Sequence, residues 1–561
     1  MDAVAEARGS ITKGQHAKLL QFLRFTMPKE QDWAHVARVL AWPLWPAEGA
    51  LALAVACVFE VYPWTMAWRV VQALWCAQVL AEHGTSRHAG LAARVRQGEA
   101  RACMALHELQ EGCATTATVV ASGGFVLASN GCPKLFVSRD GGCDVAVVLA
   151  RLGGREGRLA LFAVPLRDAG GQLTPGVQCG ALGEEEPHGW LRFHDVPLRR
   201  EALLNRFVDL EGTSERLRCD ESADLRLAQA LGLGHAALLR AAAAGLGMAA
   251  RACTRFLLEH DAVAQRSSSQ RALMAAHACL FGLDLLKALP EAEEGAVGAL
   301  LPMRLATNGR VVLRGPLASF ACRHGAAHLA ALAAMCGASG MLPVNALAPL
   351  MRHLQLGAAL AGGMGPLARR LAHTAERRFG GVSGAAQWLG RRAALVLQRV
   401  LPMSCDSATL RSAEFQSRAL RFRLFVQTGR LLELPRARWS CQDELLTDVG
   451  DTYVLLLLLR RFDALEEAAA DARVAATVCR CRSLLLLCSW DEAFFVREGY
   501  FGSAQLRALE AERGVLVREA LCDVEALARS SRDPALDVLN STPLGMHGYE
   551  QRLFEWVASK L

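Results

Sequence analysis

The spacing of apolar and polar positions changes twice along this chain. Over residues 15–25 the apolar positions Leu19, Leu20, Phe22, Leu23 and Phe25 keep near-helical spacing. Pro43, Pro46 and Pro63 punctuate the helices expected to follow. An apolar run over residues 50–59 ends at Glu60 and reads as a core helix segment. The spacing therefore predicts a helical region over residues 1–100. Trp33, Trp42, Trp45, Trp64, Trp68 and Trp75 fall within it, and indoles at that density predict a packed core.

Residues 101–207 read as strands. Residues 115–121 and 125–128 flank Ser122-Gly123-Gly124, which predicts a hairpin with a glycine turn. Residues 145–152 and 159–166 flank Gly153-Gly154-Arg155-Glu156-Gly157, a second hairpin. Residues 173–207 then predict a Pro175-Gly176 turn, a short strand, an acidic loop at 184–186, and a strand carrying Trp190, Leu191 and Phe193. Pro197 sits where a strand must end, and a turn into a helix is expected after it. His188 and His194 read as loop residues flanking that strand. Several hairpins within about 100 residues predict a small barrel or sandwich.

From residue 223 the period becomes helical again. Residues 225–260 are apolar nearly all round, as in a buried helix, with Gly245 and Gly247 as local weak points. The serines at 267–269 predict a break, Pro290 and the acidic residues 291–294 a loop, and residues 318–335 a further buried helix. After Pro402 a last helical region follows. It holds the core run 454–459 and a stripe of Leu506, Leu509, Leu516, Ala520 and Leu527.

The chain has 561 residues, which as a prior gives three or four domains of about 150 residues. With 52% hydrophobic residues it can bury large cores, and with only 4 Tyr it reads as mostly helix with one β-rich interval. A net charge of +7, with arginines scattered along the chain, argues against nucleic acid as a partner. The 18 cysteines are irregularly spaced and the first ten residues lack an apolar core. Reduced, mostly buried thiols in an intracellular compartment are expected. Cys479 and Cys481 form a CxC without a second pair, so no metal site is expected. Neither apolar run approaches the roughly 20 residues that cross a bilayer, so no transmembrane segment is expected.

Several motifs carry a family resemblance. Pro175-Gly176-Val177, Leu191-Arg192-Phe193-His194-Asp195-Val196 and Leu203-Leu204-Asn205-Arg206-Phe207 resemble the end of the β-domain in the acyl-CoA dehydrogenase superfamily. Ala413-Glu414-Phe415-Gln416-Ser417-Arg418-Ala419 resembles a helix entry of its oxidase branch. Asn540-Ser541, Leu544-Gly545, Gly548-Tyr549-Glu550 and Leu553-Phe554-Glu555 resemble the C-terminus of that branch. Simple dehydrogenases lack this second bundle, so the chain resembles a divergent member of the peroxisomal acyl-CoA oxidase family. The resemblance implies an α+β, mostly α fold: a helical N-terminal domain (1–100), a small β-barrel domain (101–207), a helical bundle (208–400) and a second helical bundle (401–561). It also implies FAD as cofactor, acyl-CoA as substrate, and a homodimer, or a heterodimer with an active oxidase. The implied reaction is 2,3-desaturation of an acyl-CoA in fatty acid β-oxidation, with hydrogen peroxide formed as dioxygen reoxidises the flavin.

The residues depart from that chemistry. The family's catalytic base falls on Ala361, within Ala359-Leu360-Ala361-Gly362, and no Asp or Glu occurs over residues 325–374. Substitute bases are Glu221 and Asp224, near the start of the helix beginning around 223; a helix cap is the competing role for Asp224. At the flavin positions a ring-contacting threonine is replaced by His107, and the ring-packing WWPGG turn by Lys134-Leu135-Phe136-Val137-Ser138. The segment that touches the flavin pyrophosphate keeps Arg266. His107, Ser138 and Arg266 are thus the implied cofactor positions. Two functions are expected from different classes: an oxidase, or a catalytically inactive relative that binds acyl-CoA or partners an active oxidase. Ser559-Lys560-Leu561 reads as an address for the peroxisomal import receptor, placing the chain in the matrix of a peroxisome or glycosome.

Overall fold

The computed structural model describes residues 40, 64–108, 113–121, 123–138, 142–153, 157–168, 170–182, 188–211, 217–220, 223–260, 265–287, 314–341, 347–362, 368, 406–432, 442–469, 471–488, 492–498 and 503–530. The expectations for residues 15–25, 50–59 and 291–294, and for the C-terminal motifs, lie outside them. The chain divides into two compact units, Met1–Ala237 and Leu238–Leu561.

The first unit opens with α1 (Trp64–His83) and α2 (Ser86–Arg96). Trp68 and Trp75 are buried on α1, as the tryptophan density predicts. Eleven strands follow among the described residues. They are β1 (Ala102–Ala105), β2 (Thr116–Val119), β3 (Phe125–Ala128), β4 (Lys134–Ser138), β5 (Val145–Leu152), β6 (Arg158–Pro165), β7 (Val177–Ala181), β8 (His188–Phe193), β9 (Val196–Leu198), β10 (Val208–Leu210) and β11 (Leu217–Cys219). Both predicted hairpins form. β2 pairs antiparallel with β3 from Thr116↔Ala128 to Val119↔Phe125, and β5 with β6 from Val145↔Pro165 to Leu152↔Arg158.

Strand β5 is the spine of the larger sheet. One edge carries β6 along its whole length. The other is shared by β1 at its start and β2 at its end, both parallel to it. Six of its eight residues form an unbroken buried run, Val145 to Ala150, because it lies inside the sheet. A second sheet, β4-β8-β7, is antiparallel. Phe125, Phe162, Leu191 and Phe193 fill the core of these strands.

The stretch after Pro197 differs from its sequence reading. The expected helix is a single 3-10 turn, Arg200–Ala202, followed by the β10–β11 hairpin. The apolar residues of Leu203-Leu204-Asn205-Arg206-Phe207 serve packing instead: Leu203 and Leu204 are buried, and Leu204 N–H donates to Leu161 O at 2.9 Å. His188 likewise is no loop residue; it starts β8, is 2% exposed, and lies edge-on to Trp68 and Phe136.

Helix α3 (Ala223–Glu259) is 37 residues long and runs from the first unit into the second. Its stretch 226–257 is long and apolar enough to cross a membrane, but 72% of its most apolar window is buried in the protein. Its first part packs on α1, where Trp75 Nε1 donates to Ala230 O at 2.9 Å. Gly234 makes that approach possible, since a Cβ there would lie 2.1 Å from Trp75 Cη2. A Gly234→Val substitution is expected to destabilise the protein by about 1–3 kcal/mol through overpacking against the rigid indole. Urea unfolding followed by tryptophan fluorescence measures this.

The second unit continues with α4 (Ser267–Lys287), α5 (Arg314–Met335), the short α6 (Ala338–Met341) and α7 (Leu347–Leu360). The serines expected to break the chain begin α4, where Ser269 is already buried. After these come α8 (Ser407–Arg411), α9 (Ala413–Leu432), α10 (Asp443–Ala468), α11 (Ala472–Cys488), α12 (Glu492–Arg497) and α13 (Ser503–Ser530). The run 454–459 is buried on α10, and Leu509 and Leu516 are buried on α13. Asp451 on α10 ties the two helical regions together by accepting from Arg323 Nη1 at 2.9 Å on α5. Among the described residues the cysteines are free thiols and most are buried.

Candidate functional site

In the first unit, two implied flavin positions meet β4, His107 near its start and Ser138 at its end. His107 O accepts from Leu135 N–H at 2.9 Å, which fixes the β1–β2 connection against β4. Burial and the charge of Lys134 push the His107 imidazole down to about 4, so it is neutral at physiological pH. Ser138 ends β4 opposite His188.

Beside His107 stands a polar cluster whose members the sequence does not announce as partners. The Lys134 ammonium lies 2.5 Å from Glu108 Oε1, and the two side chains are 0% and 1% exposed. A lysine so deep is tolerated only when its charge is paired and its donors are used. Glu108 is held from three further directions. Its oxygens accept from Ala114 N–H at 2.5 Å, Thr115 N–H at 3.2 Å and Thr115 Oγ1 at 2.7 Å. Burial alone would raise the Glu108 carboxyl; Lys134 and these hydrogen bonds outweigh it and hold the group below its ordinary range.

Cys113 completes the cluster. Its Sγ lies 3.5 Å from Lys134 Nζ and 3.6 Å from Glu108 Oε1, and it reaches Leu149 O at 3.4 Å. The backbone around it is clamped. Arg151 Nε donates to Cys113 O at 2.9 Å, and Asn130 Nδ2 donates to Ala114 O at 2.7 Å. Strand β4 itself carries a bulge: its register shifts between Leu135 and Val137, and Phe136 between them has φ +59°. A bulky residue in the left-handed region marks strain held in place by its surroundings. The signal that could have revealed the cluster is Lys134 opening the otherwise apolar run Leu135-Phe136-Val137.

In the second unit, Ala361 closes α7. Its N–H donates to Gly357 O at 3.0 Å and it is 4% exposed. Gly362 follows with φ +77°, a helix terminator in the left-handed conformation that glycine adopts without cost. The turn is well formed, and the residue at the position where the resemblance implies a base ends in a methyl group. Cys336 and Gly337 form a turn after α5, with Cys336 buried against Cys253 at 3.7 Å between sulfurs. Arg266 is exposed at the head of α4, where its carbonyl accepts from Gln270 N–H.

Of the substitute bases, Asp224 lies in the first turn of α3 and pairs with Arg158 of β6 at 2.8 Å, with its own side chain 77% exposed. Glu221 and Ser559-Lys560-Leu561 lie outside the described residues. The structure thus sets His107 against β4, the strand that Ser138 ends, within one unit. Arg266 and Ala361 belong to the other.

No family model matches this chain, and no curated protein matches it by sequence. Solved structures do. Acyl-CoA oxidase3 of Yarrowia lipolytica is similar over 99% of this chain and 90% of its own, at 16% identity and a TM-score of 0.75. Acyl-CoA oxidase 1 of Arabidopsis thaliana is similar over 100% and 93%, at 15% identity and a TM-score of 0.73. Acyl-CoA oxidase-2 of Caenorhabditis elegans, solved with FAD, ascaroside-CoA and ATP, covers 100% and 92%, at 15% identity and a TM-score of 0.73. Helix pair, sheet unit and two successive helical regions follow one another as in these enzymes, and the chain has the acyl-CoA oxidase fold.

Proposed function

We propose that this chain is a catalytically silent acyl-CoA oxidase: a protein that binds acyl-CoA, or pairs with an active oxidase, without desaturating the thioester itself. The observation that carries the reading is Ala361. Desaturation begins when a base within hydrogen-bond reach removes the α-proton. A buried methyl group cannot accept it, and no carboxylate lies within residues 325–374 to take its place. Asp224 supports the same conclusion, since its carboxylate is engaged with Arg158 at the protein surface.

FAD is the group the fold implies, and bound flavin would supply the hydride acceptor. The residues at its implied positions do not fit it. The donors of Lys134 and Thr115 are spent on Glu108 inside the protein. His107 is desolvated and neutral. A bulged strand paired with β8 stands where the resemblance expects a glycine turn. The likeness to one oxidase solved with ascaroside-CoA supports acyl-CoA as the ligand class. Ser559-Lys560-Leu561 supports delivery to a peroxisome or glycosome matrix.

Purification in excess FAD tests the proposal. The expected protein is colourless and yields no peroxide with acyl-CoA and dioxygen, while calorimetry detects acyl-CoA binding or association with an active oxidase. A flavin band near one FAD per chain that bleaches on adding acyl-CoA overturns it.

A further inference from the structure

We propose that Cys113 and Lys134 form an oxidative sulfur–nitrogen crosslink, with Glu108 taking the proton that frees the lysine nitrogen. The three groups are already assembled. Nζ is 3.5 Å from Sγ and 2.5 Å from Glu108 Oε1. Sγ is also within reach of Glu108 Oε1, Leu149 O and Thr115 O, at 3.6, 3.4 and 3.6 Å, so the sulfur is held on the lysine. Arg151 and Asn130 clamp the carbonyls of Cys113 and Ala114, which keeps the thiol from swinging away. Cys113 is only 9% exposed, so a small oxidant is the kind that can reach it and a protein disulfide is excluded.

The oxidant is hydrogen peroxide. The Cys113 thiol attacks it, the O–O bond breaks, one oxygen stays on sulfur as sulfenic acid and the other leaves as water. A sulfenic acid condenses with a nearby nitrogen to a sulfenamide. Lys134, having passed one proton to Glu108, attacks Sγ through its lone pair. The S–O bond breaks and the hydroxyl leaves as a second water with another proton of the amine. Sulfur is oxidised by two electrons and peroxide is reduced to two waters. The product is neutral throughout: the ammonium becomes an S–N–H link and Glu108 a carboxylic acid. The reaction therefore removes a charge pair from an interior that penalises charge. Burial pushes the Cys113 thiol up and Lys134 pulls against it, so the first step is slow and the link accumulates with exposure. An added thiol reverses it by attacking sulfur and releasing the amine. Neither flavin nor acyl-CoA takes part, so the inference stands apart from the proposed function.

Mass spectrometry of the full chain before and after peroxide treatment tests it. The expected result is a loss of two hydrogens that dithiothreitol restores. Chymotrypsin, which cuts after Phe125, should yield the Cys113 and Lys134 peptides joined to each other, and trypsin should no longer cut after Lys134. Cys113→Ser removes the sulfur at little cost in volume, and Lys134→Arg keeps a cation for Glu108 but no amine. Circular dichroism checks that both fold, and in both the joined peptide should fall to background. An unchanged mass, Cys113 recovered only as sulfenic acid or as a disulfide, or a joined peptide that survives Lys134→Arg each overturns the proposal.

Discussion

Lys134→Met is expected to destabilise the protein by about 3–5 kcal/mol, the cost of leaving a buried partner charge unpaired. Glu108 stays behind with its side chain 1% exposed, keeping Ala114 and Thr115 as donors but losing its cation. The double variant Glu108→Gln/Lys134→Met should recover most of the loss, because a neutral amide keeps the backbone donors satisfied while no charge remains. Urea unfolding of the wild type, both single variants and the double variant closes the thermodynamic cycle. Acid adds a second signature. In the wild type the folded Glu108 pKa is depressed, so its contribution is present above the unfolded value and is lost as pH falls through the folded one. In Lys134→Met burial, the largest influence on Glu108, raises its pKa against only the Thr115 and Ala114 hydrogen bonds, so mild acid neutralises the stranded carboxyl. The deficit relative to wild type should shrink as pH falls. A single variant as stable as the double at neutral pH would show that the pair is not buried as described.

The second large effect is acid unfolding driven by histidines. Burial is the largest influence on His83, His107, His277, His328 and His353 and lowers each from 6.5 to about 4. Nearby arginines assist for His83, His277 and His353, Lys134 for His107 and His324 for His328. Each is neutral in the folded chain and takes a proton on unfolding once pH drops below 6.5. Its stabilising contribution is complete above that value and falls by about 1.4 kcal/mol per pH unit down to about 4. At pH 5 each has forfeited roughly 2 kcal/mol and the five together on the order of 10 kcal/mol, as much as a typical folding free energy. Loss of ellipticity with a midpoint between pH 6.5 and 4 is expected. His83→Phe, which keeps an aromatic ring against Phe207, should move that midpoint downward. Full structure retained at pH 4 would mean these rings accept protons in the folded state.

Strands and turns were readable in the sequence wherever one residue type decides the backbone. Gly123, with φ +80°, and Gly153, with φ +91°, mark the two hairpin turns, and the apolar runs beside them left only one register that buries them. The stretch after Pro197, expected to turn into a helix, forms one 3-10 turn and a hairpin instead, because the β-core takes up Leu203 and Leu204. Ala361 stands at the position where the resemblance implies a base, and that placement comes from counting residues. The Glu108–Lys134–Cys113 cluster does not, because its members come from the two ends of a connection that only the pairing of β4 brings together. Charged residues in sequence read as solvated by default, and only burial reverses that reading.

Helix α3 has a consequence for how such a protein can vary. The boundary between the two units, after Ala237, falls inside a continuous helix rather than in a loop. Modules that trade places among proteins are joined at exposed linkers where few contacts cross. Here the seam is helical backbone, with Trp75 packed at Gly234 on one side and Leu238 O within reach of the Cys322 thiol on the other. Either half, grafted elsewhere, would carry a stump of buried helix. A cut or graft at this boundary would therefore break a packed helix on both of its sides.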